Sequence, residues 1–158
     1  MNNSHINDLQ FYNSYHTHPI NKAIHFFCIP LIVFSTNELI KDFYIASDNI
    51  TYPGLKKIIK FHIIWFVHLF YTFYYFYTYG IAEGYIMNLY FMFIRYSSYK
   101  LNIKKKTAFK LFSFSWIMQF IGHFIEGNRP ALLDSLSQSF LGAPLYSLQY
   151  LFPHLLKQ

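Results

Sequence analysis

From Phe61 to Tyr79 the chain runs nineteen residues without a formal charge. Wound as an α-helix, that stretch is about 28 Å long, close to the hydrocarbon thickness of a bilayer. The 158 residues make up one domain's worth of chain. Only 13% of residues are charged, against roughly a quarter in an ordinary soluble domain. With 19 Phe and 15 Tyr among the rest, a water-compatible surface is hard to assemble. The membrane class is the leading expectation.

Other apolar stretches repeat the theme. Residues 1–18 form a polar lead-in, and Pro19 suits a first helical turn with His18 as its N-cap. Ile24 to Phe34 is apolar but contains Pro30, and Ser35, Thr36, Asn37 and Glu38 dilute its continuation, which predicts a short, kinked or re-entrant membrane helix. Residues 41–60 are polar, with a turn signal at Pro53-Gly54. Residues 80–84, GIAEG, predict a tight turn before the apolar run from Tyr85 to Tyr96. A basic loop, Lys100 to Lys106, precedes a fourth segment from Ala108 to Ile125. Pro130 breaks the polar connection after that segment, and Pro144 and Pro153 weaken a last stretch, Phe140 to Leu156. The expected fold is all-α: one membrane-embedded domain over residues 1–158, a small multi-pass bundle of four or five hydrophobic helices.

The net charge is +6. Its basic clusters, Lys56, Lys57 and Lys60, then Arg95 to Lys110, are not interleaved with aromatics, so they suit loops at an anionic membrane surface rather than nucleic acid. The loops at 41–60 and 97–110 flank one helical hairpin and share a side, which the positive-inside tendency makes cytosolic. The regions of His16 and His123 then meet on the other side, if the first and fourth segments also span. The first ten residues lack the order of a cleaved signal peptide, so an internal segment would direct insertion. The single cysteine, Cys28, excludes an intramolecular disulfide and a Cys-rich zinc module.

The chemistry gathers in two polar knots. WIMQFIGHFIEGNRPALLDSL, Trp116 to Leu136, sets His123 and Glu126 one turn apart on one helix face, with Arg129-Pro130 next. YHTHPINKAIH, Tyr15 to His25, holds His16, His18, Asn21 and His25. Such groups in apolar surroundings are costly unless a metal, proton or partner satisfies them. His16 and His25 would lie on opposite faces of one continuous helix, but a helix that starts at Pro19 lets His16 fold back. His16, His25 and His123, or two of them with Glu126, suit non-haem Fe(II) or zinc with open positions. Glu126 also suits a carboxylate that orients a ligand histidine. Arg129 suits either a pair with Glu126 or a bidentate grip on a substrate carboxylate. Asn21 and Gln119 are amides able to hold water or orient a ligand. His5 reads as a tail residue, His18 as a cap, His62 and His68 as inter-helix partners with His68 a reserve ligand, and His154 as interfacial. No G-x-S-x-G or Gly-rich phosphate loop is present. Nor do the eight histidines form the clusters of the di-iron desaturases.

Residues 11–35, FYNSYHTHPINKAIHFFCIPLIVFS, and 116–144, WIMQFIGHFIEGNRPALLDSLSQSFLGAP, together resemble the two signatures of a small membrane family. Its fungal member is an endoplasmic-reticulum 2-hydroxy fatty acid dioxygenase. The middle of the chain agrees only in being hydrophobic. The resemblance implies fatty acid α-oxidation dependent on ferrous iron, Fe(2+), in which a 2-hydroxy fatty acid and O2 give an acid one carbon shorter, within phytosphingosine breakdown. It implies His16, His25 and His123 as metal ligands, Glu126 and Arg129 in the working site with Arg129 neutralising the carboxylate, and a multi-pass endoplasmic-reticulum membrane location. His18 departs from the fungal pattern, which carries an amide there. The alternative is a non-catalytic multi-pass protein that binds lipid or organises a partner, with the same residues as a structural polar network.

Overall fold

The computed structural model describes residues 10–52, 55–136 and 138–148. A helical turn at residues 10–14 precedes the first long helix, α1, Pro19–Ile40. Pro19 fixes the backbone where a helix leaves its N–H groups unpaired anyway. The extended His18 caps the turn, its ring nitrogen accepting the Ile20 N–H at 3.2 Å. Pro30 lies inside α1 without ending it, so the expected short segment is one helix of 22 residues.

The stretch expected as a polar loop is an antiparallel ribbon. β1, Tyr44–Tyr52, pairs with β2, Leu55–His62, and Tyr52 faces Leu55 across the Pro53-Gly54 connection. The reason lies in residue type: Ile50, Thr51 and Tyr52 on one side and Ile58 and Ile59 on the other favour extended backbone, and a two-residue connection favours a hairpin.

Helices α2, Ile63–Thr78, and α3, Ile81–Leu101, follow as an antiparallel pair. Their junction is shorter than the predicted GIAEG turn: Gly80, at φ 116°, reverses the chain and helix resumes at Ile81. Helix α4, Lys105–Glu126, ends at Gly127. A 3-10 turn, Ala131–Leu133, a π turn, Gln138–Gly142, and the short α5, Ala143–Ser147, complete the described chain. The remainder of the last predicted apolar stretch lies outside the described residues.

The packing of α1 on α4 positions the site. At one end of α1, Asn21 meets Gly122, where a Cβ would overlap the Asn21 amide oxygen, so glycine sets how close the two helices come. At the other end Glu38 is fully buried. It accepts the Ser98 hydroxyl and pairs with Lys41 at 2.8 Å, while Lys41 also donates to Asn102 and Lys105 meets Asp42. The apolar core forms where Tyr12, Tyr75, Met87, Phe91, Leu145 and Tyr146 pack together.

The helical expectation holds for the body of the molecule. Among the described helices, α1 alone is long and apolar enough to cross a membrane. α2 has only 16 residues, Glu83, Arg95 and Lys100 interrupt α3, and α4 opens with lysines. Yet α2, α3 and α4 expose large apolar side chains, among them Phe73, Tyr77, Leu89, Phe93, Phe109 and Phe124.

Candidate metal centre

His16 sits in the turn just before α1, closed by the His16 N–H to the Asn13 carbonyl at 3.2 Å. His25 lies on α1 and His123 in the last turn of α4. All three are buried, with ring centroids 4.2, 5.0 and 5.0 Å apart and donor atoms within 4.8 Å of one another.

Two of the tautomers follow from hydrogen bonding. His16 Nδ1 lies 2.6 Å from the Tyr12 carbonyl, and His25 Nδ1 lies 3.0 Å from the Asn21 carbonyl. A carbonyl only accepts, so both nitrogens carry the proton, and each Nε2 keeps its lone pair. The Tyr12 ring stacks on His16 at 4.0 Å and fixes its plane. Burial pushes the His16 imidazolium down to about 4, although the Tyr12 carbonyl opposes the shift. The neutral ring is the form that binds a metal. His16 Nε2 and His123 Nδ1 are buried with no partner among the described residues. Orphaned nitrogens are costly, and convergent neutral imidazoles fit a bound transition metal well. The donor set suits Fe(II) or zinc alike.

Glu126 faces another way. Its carboxylate accepts the Thr17 N–H, the Thr17 hydroxyl at 2.6 Å, the His18 N–H at 3.2 Å and the Asn21 side-chain amide. It thereby sits at the N-terminus of α1, where the helix dipole favours an anion. Thr17 follows His16, and Glu126 follows His123 by one turn, so this strap holds two histidines from opposite ends of the chain together. Arg129 does not pair with Glu126. It is 70% exposed and binds Asp134 at 2.8 Å, and Asp134 also accepts the Tyr15 hydroxyl at 2.7 Å.

The remaining histidines fall elsewhere. His18 is the cap, and His62 donates to the Lys41 carbonyl at 2.7 Å. His68 stacks on Phe91 and lines the same cavity as the three without joining their cluster, while His5 and His154 lie outside the described residues. Sequence reasoning missed Thr17 and Asp134. Thr17 had a signal in its place just before the helix start, where a short polar side chain meets free N–H groups.

The three histidines form part of the wall of a cavity of about 420 Å³. Its lining continues past Ile29, Val33 and Trp116 to Ile40, Ile64 and Val67. From His25 to Ile40 the helix rises about 22 Å. Fold and site define a class: a helical protein whose buried three-histidine centre, able to hold a metal, opens on a long apolar cavity.

The chain belongs to the Mpo1-like family: the family model described as 2-hydroxy-palmitic acid dioxygenase Mpo1-like matches residues 3–155. It is similar to the 2-hydroxy-palmitic acid dioxygenase MPO1 of Saccharomyces cerevisiae, 30% identical over 146 residues that cover 91% of this chain and 78% of that protein. No solved structure matches it.

Proposed function

We propose that this chain is an Fe(II)-dependent dioxygenase that shortens a long-chain 2-hydroxy fatty acid by one carbon. The observation that carries the reading is the set of converging, buried imidazoles beside an acyl-sized apolar cavity. The name of the yeast relative supports the substrate class. The acid and O2 give the shorter acid, carbon dioxide and water. The electrons lost by C1 and C2 are the electrons O2 takes up, so no outside reductant is needed.

His16, His25 and His123 would hold the iron, which supplies Lewis acidity and O2 activation when bound. The carbonyls of Tyr12 and Asn21 orient two of these rings, as carbonyls commonly do behind metal-bound histidines. Glu126 is a positioning residue: with its acceptors filled by Thr17, His18 and Asn21, it sets the His16 turn against α4. The apolar wall seats the acyl chain and keeps water from it. The setting is the endoplasmic-reticulum membrane, with α1 spanning and the exposed aromatic faces of α2, α3 and α4 against lipid. The reaction then serves sphingoid-base, specifically phytosphingosine, breakdown.

The test is an aerobic assay of anaerobically purified, iron-loaded protein with 2-hydroxypalmitate, read by mass spectrometry for the acid one carbon shorter. Wild type gives product, and His123→Ala loses both iron and turnover. A His123→Ala variant that keeps iron and activity overturns the assignment. Wild type that binds no iron and forms no product indicates a structural or lipid-binding membrane protein instead.

A further inference from the structure

The outward course of Arg129 leaves a question of what holds the acid's carboxylate. Along the cavity wall, Gln119 stands four residues before His123 on α4, hence on the same face and about 6 Å away along the axis. It is 7% exposed, and its amide Nε2 has no partner among the described residues. The neighbouring wall is largely carbon, with Ile29, Phe120 and Phe140. A buried amide without a partner destabilises the fold, and an apolar side chain of equal size would fill the place at less cost. The arrangement makes sense when a ligand brings the missing acceptor.

We infer that the Gln119 side-chain amide donates to the carboxylate of the bound fatty acid and holds its polar end beside the three histidines. The inference rests on the dioxygenase reading and adds the residue that recognises the acid. A neutral donor fits this place, since it binds a carboxylate without leaving an unpaired cation in an apolar wall when no acid is bound. Arg129, exposed and engaged by Asp134, is then a surface strut. Trp116 Nε1 and Ser139 Oγ, also buried without partners, lie on the same cavity wall and add donors to it.

The experiment uses the full chain in detergent micelles, loaded with iron. KM and kcat are measured for 2-hydroxypalmitate on wild type, Gln119→Leu and Gln119→Glu. Anaerobic binding is measured in parallel for 2-hydroxypalmitate and for the corresponding vicinal diol, which lacks the carboxylate. Gln119→Leu should raise KM about tenfold to a hundredfold, with kcat within a few-fold and iron content unchanged. Its melting temperature should hold or rise, and its affinity for the diol should not move. Gln119→Glu should bind the acid more weakly still, because its carboxylate repels the ligand. Folded, iron-loaded variants with wild-type KM and acid affinity overturn the inference and leave the dioxygenase reading standing. Wild type that neither binds nor converts any 2-hydroxy acid overturns both.

Discussion

Glu126 shows how one side chain can shape a candidate metal site without joining its three-histidine donor set. Every donor it engages lies on the opposite knot, and Thr17 is the residue after His16. Glu126→Ala should leave the Thr17, His18 and Asn21 donors without their acceptor and release the His16 turn. The expected result is a tenfold to hundredfold loss of metal affinity, about the size seen when groups behind metal ligands are removed. Stability should fall by about 1–3 kcal/mol. Metal titration and denaturant unfolding on one preparation check both; unchanged metal affinity would reduce Glu126 to a surface cap. The meeting of the three histidines was legible in the sequence because two polar knots hold them and a helix start at Pro19 lets His16 fold back toward His25. The courses of Glu126 and Arg129 were not, since they depend on Thr17 and Asp134, which only folding brings near.

Among the elements, the α1 and α4 pair bears the most. Gly122 lets the helices close at Asn21, within one turn of His25 and His123. Gly122→Ala removes a weak helix former yet should destabilise by about 1–3 kcal/mol, because the added methyl overpacks the contact. Thermal unfolding with and without metal checks it, and an unchanged or raised melting temperature would show that α1 yields there. Four helices were legible from uncharged runs and their Pro and Gly punctuation, the first of them expected only as a short, kinked or re-entrant segment. The ribbon was not: its lysines and turn signal read as a loop, while the short β-branched runs that extend it give a weaker pattern. Nor did local sequence tell that α1 continues through Pro30.

For the whole molecule, α2, α3 and α4 expose many large apolar side chains, a surface of the kind that marks contact with lipid or with another protein. The protein should stay with the membrane pellet through an alkaline carbonate wash and leave it only in detergent. Release by carbonate would mean that these faces meet another protein rather than lipid. The composition foretold this surface. The cavity was beyond sequence reading, because its wall draws on α1, α2, α4 and the turns after α4.

The Thr17 to Glu126 bond joins positions 109 residues apart. Until α4 has left the ribosome, a nascent chain holds His16 and His25 and lacks the third imidazole. The three-histidine cluster therefore comes into being only after the intervening hairpin has been made. A metal that needs all three imidazoles would then be taken up only once α4 has met α1, so its capture reports that the two ends of the fold have come together.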